Sequence, residues 1–268
     1  MKIALVNSMF FDKNTSKKYI NDYLKTSDYF FKTAKKYFLK NHDVDFITIT
    51  NIDDHIINLD VIVKKIDYHI EGLYHALTMK VLCLEFIEDD YDFIFVADAD
   101  QIFVNYVNDI DLLTHDYVFL RHFYKPSFNS ILEQNTTCLK INFNGSKNEW
   151  SMGNFFGGRT KTMKELLNFS KKIHFENFGK NVSKDYGYYC KFSEEFFIGA
   201  FPYERNINYK ILNVITNPYN DLSNDYFLSD FFDNNGDDNL YKNLKNVKIL
   251  HNTKKNFIQL DRVITFFI

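Results

Sequence analysis

Short apolar runs alternate with longer segments of helical period through the N-terminal part of this chain, and that alternation limits what it can fold into. A strand over 2–7, an amphipathic helix over 16–40, a strand over 44–50, a helix over 72–88 and a strand over 92–97 follow one another. Parallel strands need a crossover long enough to hold a helix, so this order predicts βαβ units around a central, mainly parallel sheet flanked by helices, an α/β fold. Further strands are expected over 117–122, 150–156 and 209–214, with helices over 161–172 and 193–201. The Asn- and Asp-rich stretch 217–246 reads as surface loop. No internal repeat and no Pro/Gly linker interrupts the pattern, so one domain over 1–268 is expected.

Composition removes several classes of function. With 46% hydrophobic and 25% charged residues, the chain has the make-up of a folded globular protein and not of a disordered or fibrous one. A net charge of −3 offers no general footprint for a phosphate backbone, so nucleic acid is not an expected partner. Three scattered cysteines, Cys83, Cys138 and Cys190, form no CxxC pair and suggest neither a disulfide framework nor a zinc site. No apolar run approaches the roughly 18 residues of a membrane span. The apolar start over 3–6 is stopped by Asn7 and Ser8 and reads as a strand, not a signal peptide. A cytoplasmic location, at most peripheral to a membrane, is the expectation.

Three motifs carry chemistry. The apolar strand over 92–97 ends in Asp98-Ala-Asp100, at the strand end where open α/β sheets bind ligands. Carboxylates at i and i+2 can present oxygens to one hard divalent cation, although the same pair also describes a solvated turn. The run Trp150-Ser-Met-Gly-Asn-Phe-Phe-Gly-Gly158 ends in a glycine pair suited to close backbone approach to a ligand, or to a simple turn before a helix near Thr160. Glu194-Glu195 opens the apolar stretch 196–201; acidic residues in a first helical turn also complement the helix dipole.

In order and spacing these motifs resemble glycosyltransferase family 6, the retaining α-1,3-galactosyl- and N-acetylgalactosaminyltransferases that include the blood-group A and B enzymes. The resemblance spans roughly 2–262. Residues 18–30 look like the family's first helix, and Met79-Lys80 precedes the strand and its Asp-x-Asp as the family's Met-Lys does. Residues 152–158 are similar to the donor-selecting segment, and Glu194-Glu195, with Phe192 before it, stands where the family has Asp-Glu preceded by Trp.

The resemblance implies a GT-A type fold with a UDP-binding half over 1–105 and an acceptor-binding, catalytic half over 106–268. It implies that Asp98 and Asp100 hold Mn²⁺ with the diphosphate of a UDP-sugar, and that Tyr19 lies near the uracil. Met152, Gly153 and Asn154 would select the donor, Glu195 with its neighbour Glu194 would be catalytic, and Trp150 and Phe192 would form acceptor-side platforms. Lys255 and Arg262 would close over the diphosphate. The implied reaction moves a hexose from a UDP-sugar to an oligosaccharide or glycolipid hydroxyl with an α-1,3 linkage.

The chain departs from the family at three points. Glu194 replaces the usual Asp, and Thr78 stands where a donor-contacting Arg is expected. Asn154 replaces the usual Ala or Gly, and its bulk favours galactose over N-acetylgalactosamine. Other readings of the residues stay open: a different nucleotide-sugar transferase, an Asp-x-Asp phosphatase, or an aromatic-rich carbohydrate-binding module.

Overall fold

The computed structural model describes residues 1–53, 60–70, 73–121, 151–178, 193–212, 214–215, 227–228 and 247–251. In chain order these form β1 (Lys2–Met9), α1 (Lys17–Tyr37), β2 (Asp43–Thr50), β3 (Ile62–Lys65) and α2 (Leu73–Leu82), the last running into a 3₁₀ turn over Cys83–Phe86. There follow β4 (Phe93–Ala97), β5 (Gln101–Phe103), α3 (Asp109–Leu112), β6 (Tyr117–Arg121), β7 (Ser151–Arg159), α4 (Thr160–Phe178) and α5 (Ser193–Glu204). The remaining strands are β8 (Tyr209–Leu212), β9 (Val214–Ile215), β10 (Phe227–Leu228) and β11 (Ile249–His251). The rest of the stretch read as loop over 217–246 lies outside the described residues.

Seven strands form one sheet in the order β3-β2-β1-β4-β7-β6-β8, and β5-β11-β10-β9 form a second. In the large sheet β3, β2, β1 and β4 are mutually parallel, β7 runs against both its neighbours, and β8 is parallel to β6. The mainly parallel α/β architecture expected from the alternation is therefore present.

The apolar residues of the central strands divide by the two-residue period of a strand. On one face, Ala4, Val6, Ile94 and Val96 pack with α2, α4 and α5 through Met79, Leu166, Phe197 and Phe201. On the other, Ile3, Leu5, Phe93 and Phe95 pack with Phe30, Phe31 and Ala34 of α1, with Phe38 just after it, and with Phe103 and Ile249 of the second sheet. Strand β4 is buried along its whole length because both faces are covered, which is why its sequence is a continuous apolar run and not an alternating one.

Helix α1 starts where Ser16 accepts a hydrogen bond from the Tyr19 backbone N–H at 3.2 Å, an N-cap that satisfies one of the first-turn donors. Two strand expectations need correction. β1 does not stop at Asn7 but runs to Met9: inside the sheet the Asn7 side-chain amide donates to the Ala97 carbonyl at 3.0 Å, while its Oδ1 is buried with no hydrogen-bond partner among the described residues. The glycine pair Gly157-Gly158 is neither a turn nor a ligand cradle: β7 continues through it to Arg159. A Cβ on Gly157 would lie 2.2 Å from a Phe95 ring carbon, and one on Gly158 2.1 Å from the Asp116 carbonyl. These glycines exist so that β7 can lie between β4 and β6.

Candidate active site at the switch point

The strand order places β2 on one side of β1 and β4 on the other, so the segments leaving β1 and β4 diverge and leave a crevice at the carboxyl edge of the sheet. A cleft of about 560 Å³ opens there. Ser8 to Asp12, leaving β1, form one wall, and Ser16, Tyr19 and Tyr23 of the α1 entrance continue it. Ala76, Leu77 and Lys80 from α2, with Asp98 and Asp100 after β4, form the other side.

The turn carrying the two aspartates is held from three sides. The Asp98 backbone N–H donates to the Asn154 carbonyl at 2.9 Å, and the buried Gln101 side-chain amide donates to the same carbonyl at 2.6 Å. Asn7 ties the preceding Ala97 carbonyl to β1. Lys80 Nζ meets both carboxylate oxygens of Asp98, at 2.8 and 2.9 Å, in a largely buried ion pair. Burial works against the charge on Lys80, yet Asp98, Glu194 and Asp100 around it hold its pKa above the ordinary lysine value.

Glu194, in the first turn of α5, is almost fully buried at 3% exposure and backs onto β7 at Gly153. Burial of its carboxyl, with Glu195 and Asp98 adding to it, pushes its pKa up to about 7 against the pull of Lys80. Glu195 is half-buried, and its carbonyl accepts a hydrogen bond from the Ser151 hydroxyl at 2.5 Å, which ties α5 to β7. Among the aromatic residues, Tyr19 and Tyr23 stack at 6.2 Å, while Phe11 presents its ring edge-on to Tyr23 at 5.5 Å and to Tyr19 at 6.4 Å. The Asn51 side chain fixes this wall, accepting from the Phe11 N–H at 2.9 Å and donating to the Phe11 carbonyl at 2.8 Å. Burial and the nearby Asp100 and Asp98 raise the Tyr23 phenol well above its ordinary pKa, so it is a neutral wall of the cleft.

Of the residues singled out in the sequence, Asp98, Asp100 and Tyr19 meet in the cleft. Met152, Gly153, Asn154, Glu194 and Glu195 do not line it. Glu194 acts on it through its charge beside Lys80, and Asn154 through its carbonyl under Asp98. Met152 is packed among the apolar residues on the α1 face of the sheet, and Thr78 is fully buried. Trp150, Phe192, Lys255 and Arg262 lie outside the described residues. Lys80, Tyr23, Phe11 and Asn7 are not among the site residues expected from the sequence; Lys80 had a signal in its place in the Met-Lys pair, and Asn7 in interrupting an apolar strand.

Three carboxylates, Asp12, Asp98 and Asp100, face one ammonium, Lys80, around the cleft. Such a lining repels a diphosphate unless a divalent cation comes with it, so the residues present fit a cation held by Asp98 and Asp100. Among the described residues no three His, Cys, Asp or Glu side chains converge on a metal position. Compared with known proteins, the chain matches no family model and no curated protein.

Proposed function

We propose that the protein is a retaining glycosyltransferase of the GT-A type that moves a hexose, galactose in the first instance, from a UDP-sugar to a hydroxyl of an oligosaccharide or glycolipid, forming an α-1,3 linkage with Mn²⁺. The observation that carries the reading is the meeting, in one cleft at the switch point, of an Asp-x-Asp turn with an aromatic wall on the far side. A nucleoside diphosphate needs both: a flat apolar surface for its base and a cation site for its diphosphate. The order of motifs shared with glycosyltransferase family 6 supports the choice of reaction.

In this reading the uracil lies against Tyr19 and Tyr23, and the diphosphate reaches Asp98 and Asp100. Asp98 and Asp100 would hold the cation, which would supply Lewis-acid stabilisation of the negative charge left on the diphosphate. Lys80 holds the Asp98 carboxylate in place and adds a fixed positive charge on the same side. Positive charge develops on the sugar at the same time, and Glu195 is the carboxylate assigned to meet it. That holds whether Glu195 bonds to the anomeric carbon and gives retention by two inversions, or the acceptor attacks on the leaving-group face. As the new glycosidic bond forms and the bond from the anomeric carbon to the diphosphate oxygen breaks, the acceptor hydroxyl's proton passes to the departing UDP.

Release of UDP from UDP-galactose, UDP-N-acetylgalactosamine and UDP-glucose, each with Mn²⁺ and with EDTA and with water or lactose as acceptor, tests the reading. Mn²⁺-dependent release from UDP-galactose is the expected result. No release from any donor together with no UDP binding overturns it.

A further inference from the structure

We infer that Tyr117 is a positioning residue for Glu194 and Glu195: its hydroxyl stands in for a backbone donor that α5 lacks, and so fixes the half of that helix that carries them. Helix α5 has Pro202 in its interior. In an α-helix the N–H of residue 202 would donate to the carbonyl of residue 198, and proline has no N–H to give. Its ring also crowds that same carbonyl. Ile198 is fully buried, and a buried carbonyl without a donor costs stability. Here the Tyr117 hydroxyl donates to it at 3.1 Å from β6. Tyr117 is itself firmly placed: it is completely buried, paired with Gly158 of β7 on one side and with Tyr209 of β8 on the other. Its ring meets that of Phe201, the residue before the proline, edge-on at 5.5 Å. Burial raises the phenol well above its ordinary pKa, so the hydroxyl keeps its proton for the carbonyl.

This hydrogen bond lies at the middle of a twelve-residue helix, with Glu194 and Glu195 on its N-terminal side. The first-turn N–H groups there have no partner within the helix. That half is held from the sheet at two carbonyls three residues apart, Glu195 by the Ser151 hydroxyl at 2.5 Å and Ile198 by Tyr117. Ser151 and Tyr117 stand on the neighbouring strands β7 and β6, so two strand hydroxyls set the height of the glutamates against the sheet. Glu194 has no slack in that placement, because it backs onto Gly153 while its charge acts on Lys80. A slide of α5 along its axis would take Glu194 off Lys80 and carry Glu195 with it. The walls of the cleft come from β1, α1, α2 and the turn after β4, and would stay where they are. Tyr117 thus bears on rate and not on donor binding, a consequence that rests on the transferase reading.

The test is a double-mutant cycle on the full chain, read by Mn²⁺-dependent UDP release, by thermal melting and by amide hydrogen exchange over 193–201. Tyr117→Phe removes one oxygen atom. It should lower kcat and kcat/KM for UDP-galactose equally, by about 10- to 100-fold, with KM unchanged. Its melting temperature should fall by a few degrees and exchange over 193–201 should quicken. Pro202→Ala returns the N–H at position 202, so in that background Tyr117→Phe should cost less than about twofold in kcat and leave exchange as it is in Pro202→Ala alone. Tyr91→Phe removes a hydroxyl that donates to Asp45 at 2.8 Å at the amino edge of the sheet, and should lower the melting temperature with kcat unchanged. An unchanged kcat in Tyr117→Phe, an equal loss in the Pro202→Ala background, or a matching loss in Tyr91→Phe overturns the inference. If the parent releases no UDP from any donor and binds none, the transferase reading fails and exchange decides the anchoring alone. Faster exchange in Tyr117→Phe that Pro202→Ala reverses then supports it, and unchanged exchange overturns it.

Discussion

Gly153→Ala tests whether the buried carboxylate behind the cleft matters for its chemistry. A Cβ built at Gly153 lies 2.9 Å from Glu194 Cγ and 3.3 Å from its Oε1, where ordinary contact starts at 3.4 Å. Relief needs a shift of roughly half an ångström or more, and the group in the way is a side chain with rotatable bonds, so the fold can yield. Overpacking of about 1 kcal/mol is offset by the roughly 0.5–1 kcal/mol an alanine returns in a strand interior, and the melting temperature should barely move. The displaced carboxylate then leaves Lys80, which loses one of the charges around it, and the Asp98–Lys80 pair resettles at the cleft. Misplacement on the order of 1 Å near reacting groups costs up to about 100-fold in rate. The assay pairs a thermal melt with Mn²⁺-dependent UDP release. Gly157→Ala is the control: its Cβ would lie 2.6 Å from the Ile94 carbonyl and 2.8 Å from Phe95 Cα, backbone atoms of β4 that cannot turn aside. That variant should lose about 3 kcal/mol or more of stability and several degrees of melting temperature. A Gly153→Ala variant with unchanged rate of UDP release, or one as unstable as Gly157→Ala, refutes the assignment of Glu194 to the group that holds Lys80 and Asp98.

Three further outcomes are expected. Lys80→Met breaks a buried ion pair from one side and should destabilise the fold by about 3–5 kcal/mol, with a lower denaturation midpoint in urea; an unshifted midpoint would mean that Asp98 finds another partner at no cost. Glu194 has its pKa raised by burial from an ordinary 4.5 to about 7, so the folded state holds its proton more tightly than the unfolded chain does. The stability this contributes is fully present below pH 4.5 and is lost as pH rises through about 7; melting curves across that range should show the loss in the parent and not in Glu194→Gln. Asp100→Asn should abolish the Mn²⁺-dependent part of turnover while the far-ultraviolet dichroism stays unchanged, and retained Mn²⁺ dependence would remove Asp100 from the cation site.

The layers were legible in the sequence because the period of apolar residues reports which way side chains face. The run 92–97 reads as a strand and 16–40 as an amphipathic helix, and the structure covers β4 on both faces, one of them with Phe30, Phe31 and Ala34. Lateral order was not legible, because period says nothing about which strand lies beside which. The insertion of β7 against the direction of β4 and β6 was hidden for that reason, and so was the purpose of Gly157 and Gly158, whose missing side chains answer to backbones distant in sequence. The short strands β3, β5, β10 and β11 have too few residues to show a period at all.

The same division explains the candidate site. Asp98 and Asp100 were visible because two carboxylates closing an apolar strand contradict their surroundings, and an open α/β sheet gives that place a meaning. Lys80 and Asn7 contradict their surroundings as well: one is a charge in an apolar helix, the other an amide in an apolar strand. What each meets shows only in the fold: Asp98 for Lys80 and the Ala97 carbonyl for Asn7. Both partners sit at one strand end, beside the point where the strand order reverses. Buried donors seek acceptors, and at this edge of the sheet the groups that accept from Lys80 and from the Asn7 amide nitrogen belong to the turn that carries the two aspartates and the strand end before it. Asn7 and Lys80, which break the apolar pattern of β1 and α2, are thus accounted for by the cleft: both hold its Asp98–Asp100 turn in place.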